Sequence, residues 1–222
     1  MLLFAKIFKS TALRLTILLS VFFLHQIPTI IAQEKFDLSR YSQALEKKPR
    51  FVAGLNNKRS LANGEPVRIW GIYAGMDYDE EIRFSLGLNF LSAPLIEKHI
   101  GIPAASDTTT TSTNFGYWSF GSEFTIFRNE KWKLSLPVSV GLGQVKIIET
   151  QAGEIREASF ASFPLETSGA AIYYLRDWLG LKAGMGVRIA LGKRGFQTFT
   201  APFYKIGIGI YPSVLYQNLS KD

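Results

Sequence analysis

The chain has no cysteine. Disulfides and thiolate metal sites are therefore excluded, even in an oxidising compartment where a bridge would form. Histidine is nearly absent too, with His25 and His99 the only two in 222 residues. Long hydrophobic runs are missing. The apolar stretch from Leu15 to Leu24 is shorter than the ~20 residues of a spanning helix, and no second long run follows it. No glycine pattern follows a strand and opens a helix, so no phosphate cradle is implied. Nothing in the sequence calls for a cofactor or a metal.

What stands at the N-terminus reads as an export signal. Lys6, Lys9 and Arg14 form a positive region, the apolar stretch follows, Pro28 breaks it, and Ala32 is small enough to precede a cleavage site. Residues 1–32 are thus expected to be a signal peptide, with Gln33 as the mature N-terminus. His25 leaves with it. Three basic residues leave as well, so the charge falls from +7 to +4, 22 basic against 18 acidic. This mild excess is spread through strands and loops, which does not suggest nucleic acid. Residues 33–49 are expected to form a periplasmic N-terminal segment, with Leu38, Tyr41 and Leu45 at helical spacing. Residues 50–222 are expected to form one domain.

The strongest signal is alternation. Ile82, Phe84, Leu86, Leu88 and Phe90 are apolar, and the residues between them are polar or small. The same holds for Trp132 to Leu142, Leu179 to Ile189 and Tyr204 to Ile210. Weaker versions occur at Trp70 to Tyr78, Trp118 to Phe127 and Phe163 to Leu175. A short first strand at Phe51 to Leu55 makes eight. A strand points successive side chains to opposite faces, so each segment has one greasy face and one wet face. Several exceed the usual five or six residues and reach the ~9–11 that cross a bilayer at a tilt.

Connections alternate as well. Turns around Asp79-Glu80, Asn129-Glu130 and Arg176-Asp177 are short, and the segments 56–66, 92–115, 146–159 and 192–202 are read as long loops. Membrane barrels have short periplasmic turns and longer outer loops, which places both termini in the periplasm. Tyr78, Phe127, Trp132, Tyr174 and Trp178 flank the short turns, and Trp70, Trp118 and Tyr204 lie near the other ends, as interfacial aromatic girdles would.

On these features the mature chain resembles the small eight-stranded Gram-negative outer-membrane β-barrels, the group that includes OmpX and the OmpA barrel domain. The resemblance implies an all-β, antiparallel, up-and-down transmembrane barrel in the outer membrane. It implies outer-membrane lipid, including lipopolysaccharide, as surroundings, the barrel-assembly machinery as a partner, and other envelope proteins as further partners. One departure is the C-terminus. Such barrels usually end on a strand with a terminal aromatic, whereas this chain continues past Tyr211 to Asp222. Either the assembly signal is internal or the last strand runs further.

Eight charged residues fall on the polar faces: Asp77, Arg83, Glu123, Lys133, Glu166, Lys182, Arg188 and Lys205. Hairpin counting sets Asp77 opposite Arg83 and Glu166 near Arg188. Buried charge must be paired, so these read as a salt-bridged lumen plug. Pro137 and Pro164 lie inward within strands, where proline cannot donate to the ladder. They mark either a bulge or a lateral gap for a lipid tail, the latter resembling the lipid A palmitoyltransferase barrels. That resemblance makes His99, Ser106 and Asp107 in the 92–115 segment the candidate catalytic residues, though they match no spaced motif. Lys58 and Arg59 are read as residues of a solvated loop, with contact to outer-leaflet sugar-phosphates as the alternative. The leading functional reading is non-enzymatic: an envelope structural, interaction or complex-anchoring barrel. The alternatives are a lipid-modifying acyltransferase or deacylase, and a narrow channel for small polar solutes.

Overall fold

The computed structural model describes residues 39–100, 108–151, 153–193 and 198–220. Residues 1–32, expected to be a signal peptide, and Ser106 and Asp107 lie outside these residues. A short helix α1, Ser39–Leu45, comes first. The strands are β1 (Arg50–Ala62), β2 (Glu65–Tyr78), β3 (Ile82–Leu91), β4 (Leu95–Ile100), β5 (Thr108–Arg128), β6 (Trp132–Gln151), β7 (Glu154–Arg176), β8 (Leu179–Leu191) and β9 (Ala201–Ile210). Helix α2, Pro212–Leu219, follows β9, with Pro212 in its first turn, where a missing N–H costs nothing.

All neighbouring strands are antiparallel. The order is β3-β2-β1-β9-β8-β7-β6-β5-β4, and β3 also pairs with β5, which closes the ring. β4 continues the line of β3 after a break at Ser92, Ala93 and Pro94, and pairs with β5 beyond the point where β3 stops. The barrel wall is therefore eight strands thick in circumference, wound as a simple meander. Following partners round the ring from Ser60 leads through Phe203 and Gly186 to Ser168, then across the gap in the β6–β7 ladder to Pro137 in the register set by the pairs on either side, and on through Glu123, Arg83 and Asp77 to Arg50. The stagger is ten residues, 60 minus 50. Eight strands with that stagger tilt by about 40° and leave an interior only wide enough for side chains.

The alternation dictates which way the residues face. Phe51, Leu55, Ile72, Met76, Leu86, Trp118, Phe120, Leu142, Leu165, Met185 and Ile206 are exposed on the outer wall. On β6 the outward run is Trp132, Leu134, Leu136, Val138, Val140 and Leu142. Ten residue steps at this tilt give an apolar belt about 25 Å tall, the hydrocarbon thickness that membrane barrels match.

The three short turns form where expected, after Tyr78, Arg128 and Arg176. In the first, Asp79 and Glu80 adopt φ of 50° and 62°, and Asp77 Oδ1 accepts from the Glu80 amide at 2.9 Å. The opposite end differs from expectation. The 56–66 segment is not a long loop: β1 and β2 run on to a two-residue turn at Asn63 and Gly64, with φ of 50° and 84°, the geometry that Asn-Gly favours. Most of 146–159 is also strand, since β6 and β7 stay paired up to Gln151 and Glu154. Within 92–115 lie β4 and the start of β5. The last strand does not run further; it ends at Ile210 and the chain turns into α2.

Above the belt the alternation changes phase. On β6 the outward residues become Gln144 and Lys146, while Val145 and Ile147 face inward. On β2 Arg68 faces out while Ile69 and Val67 face in. Ile69, Leu91, Phe115, Tyr117, Val145, Ala190 and Phe199 form a buried apolar cluster inside this upper section. Phe115 and Phe199 stack with ring centroids 4.3 Å apart. A strand in lipid shows oil outward; the same strand in water must show polar groups outward and pack its own oil inside.

Candidate functional site

Asp77, Arg83, Glu123, Lys133, Glu166, Lys182, Arg188 and Lys205 point to the barrel interior, and Lys58 joins them there. Lys58 is not a loop cation. It points into the barrel at 5% exposure, while its neighbour Arg59 faces out. The first strand had been cut short at Leu55, and extending it by three residues sets Lys58 in phase with Gly54 and Asn56 on the inner face.

Two clusters organise the interior. In the upper one, Glu166 is the hub. Its Oε2 accepts from Lys58 Nζ at 2.6 Å, and its Oε1 from Arg188 Nε at 2.8 Å and Tyr117 OH at 2.5 Å. Lys58 Nζ also donates to Asn89 Oδ1 at 3.0 Å and Tyr117 OH at 3.1 Å. Arg188 is fully buried, its guanidinium carbon 5.6 to 5.9 Å from the ring centres of Phe203, Tyr117 and Phe115. The rings offer their negative faces to a cation whose Nη1 and Nη2 have no hydrogen-bond partner.

The lower cluster sits at the short-turn end. Asp77 and Arg83 are cross-strand partners, with Arg83 Nη2 2.7 Å from Asp77 Oδ2. Lys133 Nζ lies 3.6 Å from the same oxygen. Glu123 accepts from Lys182 and from Ser135 Oγ at 2.8 Å, and lies 3.6 Å from Arg83. Tyr211, the residue after β9, turns inward: its hydroxyl meets Arg83, Asp77 and Tyr174. Tyr174, read as a girdle residue, is therefore a lumen-mouth residue. Arg50 and Glu80 pair at 2.6 Å beside it.

These clusters leave a lumen cavity of about 90 Å³, bordered by Lys58, Glu123, Glu166, Lys182 and Lys205. That is room for several water molecules. Below it stand Arg83 and Tyr211, and above it the Phe115–Phe199 stack. Among the described residues, packed side chains thus stand on both sides of the cavity along the barrel axis.

Pro137 and Pro164 both weaken one seam. The β6–β7 ladder loses its partners between Ser135 and Val138 and again between Val140 and Gly143. Pro137 sits in the first break. Pro164 sits opposite the second, close over Gly141. Each proline keeps its pairing on its other side, with Glu123 and Ala190 respectively. The missing donors thus fall on one interface.

The candidate catalytic set is not assembled among the described residues. His99 lies on β4 opposite Thr109; Ser106 and Asp107 are outside the described residues. No group of acidic or histidine side chains that would hold a metal occurs among the described residues.

A third feature lies above the belt. β4, β5, β6 and β7 continue as a projecting sheet whose hairpin reaches Gln151 and Glu154, about 30 Å of strand beyond Leu142. Among the described residues, Glu154–Ser159 pair only with β6, and β4 only with β5. Ile96 and Ile155 are exposed there at 60% and 71%.

No family model matches the chain, and no curated protein matches it. Solved structures do. Neisserial surface protein A is 12% identical, covering 73% of this chain and 96% of that one, with a TM-score of 0.48. Ail of Yersinia pestis is 12% identical with the same coverages and a TM-score of 0.45. The N-terminal β-barrel domain of Pseudomonas aeruginosa OprF is 11% identical, covering 73% and 98%, with a TM-score of 0.42. The barrel architecture stands on the strand pairing itself, and the functional reading below stands on the chain's own geometry.

Proposed function

We propose that the chain is an integral outer-membrane barrel without enzymatic activity, its termini in the periplasm, which displays the β4–β7 sheet to other envelope proteins. The observation that carries this reading is the change of phase along the strands. An apolar belt around the whole circumference far exceeds the few hundred Å² that a soluble monomer exposes. It is bounded on one side by tight turns and on the other by strands that turn polar outside. Those projecting strands have ladder positions facing away from the barrel, the backbone groups that recruit a further strand. The closed lumen argues for a scaffold and against conduction.

The test is extraction in mild detergent followed by identification of co-purifying envelope proteins. The wild-type barrel retains a partner, and a variant lacking residues 149–156 loses it while still folding. A barrel that purifies alone under all mild conditions contradicts the display role.

The breaks beside Pro137 and Pro164 favour a second reading, a seam open to a lipid tail and hence a lipid-modifying activity. It requires His99 in chemistry. An unchanged membrane-lipid profile in His99→Ala removes it.

A further inference from the structure

The interior charges do not balance. Six cations face the lumen: Lys58, Arg83, Lys133, Lys182, Arg188 and Lys205. Three carboxylates face them: Asp77, Glu123 and Glu166. Arg50 and Glu80 at the mouth neutralise each other. Among the described residues the lumen cations thus outnumber the carboxylates, even with Glu81, whose Oε2 is buried near the first short turn, counted on the acidic side.

The excess is not evenly spread. Glu166 is taken by Lys58 and Arg188, Asp77 by Arg83 and Lys133, and Glu123 by Lys182 with Arg83 beside it. Lys205 is left with a neutral partner, Ser168 Oγ, to which Nζ donates at 2.8 Å. An ammonium has three N–H donors, so two remain. Lys205 borders the same cavity as Lys58 and Lys182, with Asn89, Ser119 and Ser139 among its other walls. The space is lined by N–H and O–H donors, by apolar groups and by Glu123 and Glu166, both already engaged by other lumen cations, and it is large enough for a small ion with a water or two.

We propose that this cavity is a binding site for a small inorganic anion, a halide or a phosphate-sized oxyanion, held between Lys205, Lys182 and Lys58. Taking unbalanced charge out of water is costly, and a counter-ion inside the lumen is the direct compensation. The anion acts as a structural ligand of the folded barrel: it binds the closed state, has no site in the unfolded chain, and raises stability by mass action.

The full chain, folded in detergent micelles, tests this at constant ionic strength. Its unfolding midpoint is measured in sodium chloride, in sodium phosphate and in sodium gluconate, whose anion is too large for the cavity. The expected result is a midpoint about 5 °C higher in chloride or phosphate than in gluconate, with the difference abolished in Lys205→Met. The chloride and phosphate arms say which anion is held. A crystal grown in bromide is the second measurement, independent of any variant: anomalous density beside Lys205 Nζ is expected. Equal midpoints in all three salts, with no bromide in the cavity, overturn the proposal and mean that the surplus lysines are uncharged or solvated by water alone. If Lys205→Met does not fold, Lys205→Gln and the bromide map decide.

Discussion

Lys58 Nζ and Glu166 Oε2 lie 2.6 Å apart, joining β1 to β7 through the lumen, although β8 and β9 separate those strands round the wall. The pair acts as a strut. With Arg188 on the other oxygen, Glu166 bridges two buried cations with one negative charge.

Glu166→Gln leaves both cations without a carboxylate. Breaking a buried pair by removing one partner costs about 3–5 kcal/mol. The urea midpoint of the micellar barrel is expected to fall accordingly, and Lys58→Met in the Gln background to recover part of the loss. An unchanged midpoint in Glu166→Gln contradicts the strut.

That strut shows where the sequence was legible and where it was not. β3, β6 and β8 announce themselves, because lipid on one side and a polar lumen on the other write strict alternation into Ile82–Phe90, Trp132–Leu142 and Leu179–Ile189. The Asp79-Glu80 turn is equally plain. Lys58 was hidden because the greasy signal of β1 stops at Leu55, and Asn57 and Arg59 face out in its place. The same change of medium hid the upper halves of β2, β6 and β7. Val67 and Ile69, or Val145 and Ile147, still alternate with polar neighbours, but in the opposite phase. Reading the phase change as a membrane boundary, rather than as a strand end, would have found the projecting sheet. Tyr211 carried no signal: only the inward turn of the chain after Ile210 brings it to Arg83.

Gly143 gives a second prediction. A Cβ there would meet the Gly116 carbonyl oxygen at 2.1 Å and Tyr117 Cβ at 2.4 Å. Tyr117 lies against the bare backbone of Gly143 and from there reaches Glu166. Gly143→Ala is expected to cost about 1–3 kcal/mol through overpacking, read as a lower unfolding midpoint. Full tolerance of the alanine contradicts this packing.

The proline seam makes a third. Amide exchange in micelles should be faster for ladder amides between β6 and β7, at Ser139, Gly143 and Glu166, than for those between β5 and β6. The two missing donors leave shorter cooperative runs of bonds to open. Equal protection of the two seams argues against a weak line in the wall.

The filled lumen makes a fourth. Planar-bilayer recordings of the wild-type protein should show no steady conductance. Phe115→Ala removes half of the aromatic stack and is expected to cost about 3–5 kcal/mol, while Arg83 and Tyr211 still block the other end. Stable wild-type channels contradict the closed interior.

The central claim is a closed barrel whose apolar belt is embedded in the outer membrane. Heat-modifiability on a gel tests it most directly, comparing boiled and unboiled samples of outer-membrane and soluble periplasmic fractions. The account predicts that the protein is found in the outer-membrane fraction and that its mobility shifts on boiling, because the continuous ladder resists detergent until heated. A protein recovered from the soluble periplasm, with the same mobility before and after boiling, contradicts the account.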